Sequence, residues 1–383
     1  MRSSGVLVKR MLNVTYDHQV FGFQEYGGVS KYFYELARRV AATEGFAASI
    51  AAPLYVNRYV RDAEARFKVR GLRIPLVPKT GRLVRTANHR MSQVLFAISR
   101  PDLVHETYYQ KTAAAPKGCP VVITVHDMIH DKFKGDFKHD DPTSARKLAA
   151  VMRADRIICV SENTRADLIE LFDPDPAKIR TIHHGFSAVR TIEPAVHPAL
   201  PRPFFLYVGQ RGGYKNFANL LTAYASSGRV NEEFDLVAFG VSAFTRQETD
   251  AIRAAGLDSE QVRHLSGDDA LLAHLYRKAT ALIYPSLYEG FGIPPLEAMS
   301  YGCPVLCSNT SSIPEVVGDA GLFFDPRSVE AMRESMERVV SSPELRSDLI
   351  ERGTQRVKHF SYDRCATETM DVYREIARYG RES

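Results

Sequence analysis

No uninterrupted apolar run in the 383 residues comes near the ~18 that a transmembrane helix needs. The first ten residues, Met1 to Arg10, hold no long apolar segment, so no secretory signal is expected, and Met11 serves as a start as well as Met1 does. Cysteine is scarce: Cys119, Cys159, Cys303, Cys307 and Cys365 are odd in number and widely spaced, which argues against a disulfide framework. Cys119, Cys159 and Cys307 sit in apolar runs, where a thiol behaves as a small hydrophobe, so a reduced, cytoplasmic chain is expected. Cys303 and Cys307 are spaced loosely like half a zinc site, but no second pair lies nearby and packing explains them better. There is no internal repeat and no low-complexity tract. Charge of one sign is also lacking: 50 Lys and Arg against 45 Asp and Glu leave +5, no general argument for nucleic acid. What is present is an ordinary globular mix, 45% apolar and 25% charged, at a length that predicts two domains or at most three.

Short apolar runs alternate with amphipathic segments along almost the whole chain. Strands are expected at Leu12–Tyr16, Asp102–Glu106, Val121–Val125, Arg156–Val160 and Ile179–His183, with helices at Val29–Ala42 and from Ser161 to Phe172, the last with Asn163 and Thr164 as competing caps. Pro194 to Pro203 carries four prolines in ten residues and reads as a linker. The alternation then restarts, with strands at Phe204–Val208, Leu236–Phe239, Val262–Leu265, Ala281–Tyr284, Val305–Cys307 and Leu322–Phe324. Arg346 to Lys358 looks helical, Phe360 to Tyr362 breaks it, and a last amphipathic helix presents Ala366, Met370, Tyr373 and Ile376 on one face. The whole predicts an α/β protein with two parallel sheets, each crossed by helices, and a ligand cleft at the strand C-terminal edges.

The most informative stretch runs from Tyr284 to Met299. A buried strand ends at Tyr284, a loop with Glu289, Gly290 and Gly292 follows, and Pro294 or Pro295 opens a helix that carries Glu297 in its first turn. Loop N–H groups converging with a helix N-terminus suit an anion or a hydroxyl-rich ligand. Glu297 alone is equally well read as a complement to the helix dipole, but that does not explain Glu289 beside two glycines. Neither glycine pair in the chain makes a dinucleotide fingerprint or a P-loop. His126-Asp-x-x-His130 follows a strand rather than lying on a helix, and Asp173-Pro-Asp175 sits between prolines past a helix, so a turn reads better there than a metal site.

Glu289-Gly-Phe-Gly-x-Pro-x-Leu-Glu297-Ala-Met resembles the retaining nucleotide-sugar glycosyltransferases of family 4. Gly27-Gly28-Val-Ser-Lys31, Val125-His126-Asp127 and Tyr207-Val-Gly-Gln-Arg211-Gly-Gly-Tyr-Lys215-Asn216 agree with it in order, over roughly residues 12 to 375. The resemblance implies the GT-B fold: two Rossmann-like domains facing each other across a cleft, at 1–195 (acceptor side) and 203–360 (nucleotide-sugar side), with a C-terminal helix, 362–383, crossing back to the first. It also implies roles. Arg211 and Lys215 would grip the donor diphosphate, whose charge grows as the bond breaks, which fixed cations stabilise selectively. Glu297 would bond the ribose. Glu289, with N–H groups at Gly290, Phe291, Gly292 and Ile293, would read the donor sugar, while Gly27 and Gly28 bring the first domain's helix N-terminus over the β-phosphate. His126 would position the sugar, and Glu106 and Tyr108 would touch the acceptor. His183-His184-Gly185 departs from the family's asparagine-glycine at the same place, which leaves a ligand role there open.

The expected activity is transfer of a hexose, with retention, from a nucleotide-diphosphate sugar to a hydroxyl of a glycan or lipid-linked acceptor. The mannosyl- and rhamnosyltransferases of bacterial surface polysaccharide assembly are the nearest in context, which inclines the donor to GDP-mannose. No cofactor and no catalytic metal are expected, because Arg211 and Lys215 already supply cations. A catalytically inactive GT-B-like nucleotide- or glycan-binding protein, or a sugar-nucleotide epimerase on the same fold, are the alternatives. Residues 56 to 90 hold ten basic side chains (Arg58, Arg61, Arg66, Lys68, Arg70, Arg73, Lys79, Arg82, Arg85 and Arg90) against Asp62 and Glu64. A helix from Gly81 to Ser99 is expected there, with Val84, Ala87, Met91, Leu95 and Ile98 along one side. This is either a solvated face or a surface resting on anionic lipid at the inner face of the cytoplasmic membrane.

Overall fold

The computed structural model of the protein describes residues 10–61, 67–77, 80–188 and 200–382. Seven strands form the first sheet: β1 Leu12–Tyr16, β2 Phe46–Tyr55, β3 Lys68–Arg73, β4 Leu103–Glu106, β5 Val121–Val125, β6 Arg156–Cys159 and β7 Ile179–Thr181. Six form the second: β8 Phe204–Val208, β9 Asp235–Phe239, β10 Val262–Leu265, β11 Ala281–Tyr284, β12 Val305–Ser308 and β13 Gly321–Phe324. Every pairing is parallel, in the orders β3-β2-β1-β4-β5-β6-β7 and β10-β9-β8-β11-β12-β13. The central strands are buried on both faces, as parallel strands under crossover helices must be, and so read as unbroken apolar runs. Each sheet reverses its strand order once, at β1/β4 and at β8/β11. A crevice opens at such a point above the strand C-termini, and that is where ligands bind in open α/β sheets.

Two strands carry no strand signal in the sequence. β2 contains four alanines, which favour helix, and becomes a strand because it is sandwiched between β1 and β3. β3 is a partly exposed edge with Lys68, Arg70 and Arg73 along it, a charged edge that discourages further pairing. The helix of Glu162–Phe172 takes Ser161 as its cap, with the Ser161 hydroxyl accepting the Thr164 N–H, so Asn163 and Thr164 lie inside it. Residues 189–199, most of the proline-dense stretch, lie outside the described residues.

The helix of Gly81–Ser99 forms where the sequence places it, and of its apolar side Val84, Ala87 and Leu95 are half-buried while Met91 and Ile98 are exposed. Asn88, Ser92 and Phe96 are buried, while Leu83, Met91, Val94 and Ile98 face out, Leu83 at 74% exposure and Ile98 at 67%. The reason is polar: both hydrogen-bonding groups of the Asn88 amide clamp the Leu54 backbone of β2, at 2.7 and 2.8 Å, and the Ser92 hydroxyl meets His18 Nδ1 at 2.9 Å. These bonds fix the rotation of the helix against the apolar periodicity.

The last helix, Tyr362–Glu382, crosses back and packs on the helix of Gly28–Ala42 in the first domain. Ala366, Met370, Tyr373 and Ile376 are buried in that contact, and the Tyr373 hydroxyl reaches His105 Nδ1 at 2.6 Å and Tyr16 at 3.2 Å. Gly185 lies beneath the crossing: a Cβ there would stand 2.4 Å from the Tyr362 ring.

Candidate active site in the interdomain cleft

The site is built from loops that follow strand C-termini beside the two reversal points. In the second domain β8 ends at Val208, and Gly209 to Lys215 turn over its end. Gly209 and Gly213 have φ of +132° and +53°, the left-handed region that glycine enters without strain. A cavity of about 1110 Å³ opens beside this loop, lined by Gly209, Arg211, Gly213, Gly240, Ser242 and Gly267 among others. That is space for a nucleotide against backbone rather than side chains.

Lys215 and Glu289, which come from different segments, form one pair: Nζ lies 2.6 Å from Oε1, with both side chains largely covered. The loop carrying Glu289 is fixed by a cluster after β12. The Glu289 N–H donates to the Ser311 hydroxyl at 3.0 Å, and the Ser312 hydroxyl donates to the carbonyls of Glu289 and Phe291, each at 2.9 Å. Thr310, Ser311 and Ser312 carry no chemistry-bearing signal in the sequence. Their effect is preorganisation, and only the fold brings them under the loop.

Arg211 sits elsewhere. Its guanidinium is held by Glu248 at 2.7 Å and by the Ala243 carbonyl at 2.8 Å, and it lies over the Phe244 ring at 4.8 Å. It lines that cavity with its charge compensated, so Lys215 is the cation beside Glu289. Gly292 precedes the helix of Ile293–Ser300, with Pro294 in its first turn; Glu297 therefore lies past the first turn, contrary to the sequence expectation. The Glu297 carboxylate accepts the Tyr276 hydroxyl at 3.0 Å, and burial raises its pKa, partly offset by Tyr276 and by Lys31.

From the first domain come the helix start at Gly27 and Gly28 and the loop after β5. Gln24 Oε1 accepts the Ser30 N–H at 3.2 Å, and Lys31 in the first turn acts electrostatically on both Glu297 and His184. The placement of Lys31 toward the second domain's carboxylate is visible only in the fold, although Gly27-Gly28-Val-Ser-Lys31 marks the segment. His126 rests among Tyr32, Phe33 and His184, with ring centroids at 5.2, 5.8 and 6.3 Å. Burial, then His184 and Lys147, push its pKa down to about 3, so the imidazole is neutral near pH 7. Its Nε2 is buried without a hydrogen-bond partner among the described residues, a polar atom left to be satisfied.

The two domains meet at this point. The Gly290 carbonyl accepts the hydroxyls of Ser161 at 2.8 Å and Thr164 at 3.1 Å. Glu315 accepts the N–H of Glu162 at 2.8 Å and His183 Nε2 at 2.7 Å, and these bonds hold its pKa down against burial. Asp136 accepts the Tyr214 N–H at 2.8 Å, and Tyr288 donates to Asp167 at 2.5 Å. Few of these contacts are signalled by the sequence, because each is a pairing between residues far apart in the chain.

Of the two acceptor candidates, Glu106 does not reach the cleft. It is 2% exposed and paired with Arg153, and burial together with Asp17 pushes its pKa up to about 8. Tyr108 does line a cavity in the first domain, of about 260 Å³. His184 is buried against Tyr32, Phe291 and Tyr362, and His183 serves Glu315, so the divergent His183-His184 pair is interdomain packing in this fold. Asp173 takes the left-handed conformation that ends its helix, and Asp175 accepts the Ala177 N–H at 2.9 Å, a turn as the prolines suggest.

Comparison with known proteins bears on this geometry. Residues 26–190 match the family model described as Glycosyltransferase Family 4, and residues 189–356 match that of Glycosyl transferases group 1. The O-antigen chain mannosyltransferase B of Escherichia coli is 33% identical over 57% of this chain and 60% of its own length. The serotype-specific mannosyltransferase WbdA of Escherichia coli is 28% identical over 68% of this chain and 34% of its own. The chain thus spans less than two thirds of either relative. Among solved structures, sucrose-phosphate synthase of Thermosynechococcus elongatus superposes with a TM-score of 0.75 at 18% identity, covering 96% of this chain and 99% of that one. With two parallel-sheet domains, a glycine-lined cavity in the second, and family models that join end to end across 26–356, the chain belongs to the family 4, group 1 glycosyltransferases of the GT-B fold.

Proposed function

We propose that the protein is a retaining hexosyltransferase, taking its sugar from a nucleotide-diphosphate donor and passing it to a hydroxyl of a glycan or lipid-linked acceptor. The observation that carries this reading is the Lys215–Glu289 pair at the second domain's reversal point, one residue from Gly290, which touches the His126 loop of the first. The base occupies the 1110 Å³ cavity, and the ribose and diphosphate extend beyond its lining, the ribose to Glu297 and the diphosphate to Lys215 and the Gly27–Gly28 helix start. Glu289 and the N–H groups that follow it hold the sugar hydroxyls. The anomeric C1–O bond breaks with its electron pair leaving on the phosphate oxygen, where Lys215 stabilises the growing charge. The acceptor oxygen enters on the same face, and its proton passes to that departing oxygen. Neutral His126 bonds the sugar through Nε2 and transfers no proton. The names of the relatives favour mannose as the sugar, and GDP-mannose is the donor proposed for it.

Purified protein offered GDP-, UDP-, ADP- and dTDP-hexoses tests this, with transfer followed by NMR of the product's anomeric configuration. Inversion would overturn the mechanism. Nucleotide binding without turnover would favour an inactive binding protein, and an epimerised donor in the absence of acceptor would favour an epimerase. Cationic side chains and loop N–H groups take the place of a metal in this scheme, so EDTA should change the rate by no more than about twofold. Activity abolished by EDTA and restored by Mn²⁺ would count against it.

The setting is cytoplasmic, with peripheral attachment to anionic lipid. Among the described residues no helix is long and apolar enough to cross a membrane. Among the described residues, half of the exposed large hydrophobic side chains lie between Leu72 and Ile98, on the edge strand β3, the segment after it and the Gly81–Ser99 helix, interspersed with Arg73 and Arg90. That mixture fits an interfacial surface better than a solvated one. Of the basic residues counted in the sequence, Arg66, Lys79 and the side chain of Arg82 lie outside the described residues. Each basic group near such a surface contributes about 1 kcal/mol, screened by salt. Co-sedimentation with anionic but not neutral liposomes is expected, weakened by high salt, by Arg73→Glu with Arg90→Glu, and by Val94→Ser with Ile98→Ser. Equal behaviour on both liposome types would leave a solvated face.

A further inference from the structure

Lys147 is buried, at 1% exposure, and among the described residues no other lysine or arginine is. It lies on the helix of Thr143–Arg153, beneath the turn that follows β5 and opens with His126. Its Nζ donates to the Asp127 carbonyl at 2.8 Å and to the Asp131 carboxylate at 2.7 Å, so both ends of that turn are tied to one point. The ammonium also lies over the Tyr109 ring, 5.6 Å from its centroid. The Tyr109 hydroxyl in turn accepts the His126 N–H at 3.3 Å and donates to the Thr124 carbonyl at 3.4 Å. His126 is thus held through its own N–H on one side and through the carbonyl of the next residue on the other.

Stability alone does not call for a cation here. An ammonium and a carboxylate lose their hydration on burial, and apolar side chains of the same volume often do as well or better. What an apolar group cannot do is donate to a carbonyl at one end of the turn and a carboxylate at the other, as an ammonium with several N–H donors can. The turn so fixed meets the second domain at both of its ends. At the first, the His126 carbonyl oxygen lies 1.8 Å from where a Gly290 Cβ would stand. At the second, the Lys132 ammonium pairs with Asp167 and lies over the Tyr288 ring at 5.7 Å, and Tyr288 directly precedes Glu289. The position of the turn therefore sets the position of His126 relative to Glu289.

We infer that Lys147 is a positioning residue for the transfer reaction: through the Asp127 carbonyl and Asp131 it fixes the turn that sets His126 against the Glu289 loop. The inference rests on the glycosyltransferase reading and adds to it a residue outside the cleft. Lys147 bonds the turn from behind, and what it contributes passes through the backbone of Asp127. Misplacement by about an ångström costs about 10²-fold where groups on two sides of a cleft must meet, so losing the tie should show in kcat. The cavity beside Gly209 and Arg211 takes none of its lining from this turn, so nucleotide affinity should not follow.

Lys147→Met alone leaves the Asp131 carboxylate buried without its cation and is expected to destabilise the fold. The test therefore combines Lys147→Met with Asp131→Asn in the full chain, which removes the tie and strands no charge. In that double variant kcat should fall at least about tenfold, while nucleotide affinity, read by calorimetry, stays within about twofold. The amides of Ile129, Asp131 and Lys132, which are bonded within the turn, should exchange hydrogen at least about tenfold faster. Lys147→Arg, which keeps the charge and its donors, should recover at least about threefold of the lost kcat. Asp235→Asn is the comparison. It weakens a buried ion pair at the start of β9, on the sheet edge away from the cleft, and should lower the melting temperature with kcat and turn exchange as in the parent. A double variant with kcat within about threefold of the parent, or with unchanged exchange in the turn, would overturn the inference. So would a loss of kcat that Asp235→Asn shares at an equal loss of stability. If the turn loosens as expected while the parent chain turns over no nucleotide sugar, the glycosyltransferase reading fails and the fixing of the turn by Lys147 stands.

Discussion

Replacing Lys215 or Glu289 by alanine is expected to lower turnover by at least about 10²-fold while the protein stays folded. That loss corresponds to about 2.7 kcal/mol of transition-state stabilisation, the scale of one preorganised contact. The two substitutions should differ in kind. In the proposed mechanism Lys215 meets the leaving diphosphate, whose charge is present in the bound donor and larger in the transition state, so Lys215→Ala should raise KM and lower kcat. In that mechanism Glu289 meets sugar hydroxyls, and in the structure it holds Lys215 Nζ at 2.6 Å. Glu289→Ala therefore frees the ammonium for phosphate while losing sugar orientation, so kcat should fall with KM little changed. Because the residues act as one unit, the double variant should lose little more than the worse single variant, as coupled groups do. Initial rates across donor concentrations, with a thermal melt for each variant, check this. Near-normal turnover in either single variant, or fully multiplicative losses in the double, would remove the pair from the proposed chemistry.

The extent to which the sequence reveals this site follows from what kind of contact each part is. Motifs that lie within one strand-loop-helix unit, Gly27–Lys31, Val125–Asp127, Gly209–Lys215 and Glu289–Glu297, are legible because the turn, the glycine and the charged residue are neighbours in the chain. The two parallel sheets follow from the alternation, apart from β2 and β3, where alanine content and edge charge hide the strand. What stays hidden is pairing across the chain. Nothing local to Arg211 announces Glu248, and nothing in the apolar periodicity of the Gly81–Ser99 helix announces that Asn88 and Ser92 turn inward. In both cases a polar bond formed in the fold outweighs the local pattern, since an unpaired buried polar group costs about 1–3 kcal/mol. Glu106 is the converse case: its position after a strand in the first domain suggests a cleft residue, but Arg153 draws it inside.

Gly290→Ala is expected to be as damaging as removing a charged residue, although it adds one methyl group. A Cβ at Gly290 would lie 1.8 Å from the His126 carbonyl oxygen and 2.8 Å from Asp127 Cβ. The crowding atoms are mainly backbone, so no side-chain rotation relieves them. Gly290 is not among the residues with positive φ, so the demand for glycine here is spatial, set by the other domain rather than by the loop's own conformation. The Gly290 carbonyl is also tied to Ser161 and Thr164 of that domain, so moving the loop away breaks two further bonds. The methyl group must therefore hold the His126 loop and the Glu289 loop apart by an ångström or more. Misplacement on that scale costs about 10²-fold where a reaction depends on groups held by both sides of a cleft. The nucleotide cavity takes none of its lining from Gly290, so nucleotide affinity should stay within about twofold, and the two domains should melt as in the parent chain. The expected pattern is thus a kcat reduced at least about 10²-fold with nucleotide binding preserved, read by initial rates beside a calorimetric nucleotide titration. Turnover within a few-fold of the parent would mean that the contact between Gly290 and His126 is no part of the catalytically competent arrangement, and that His126 acts, if at all, from a more open cleft.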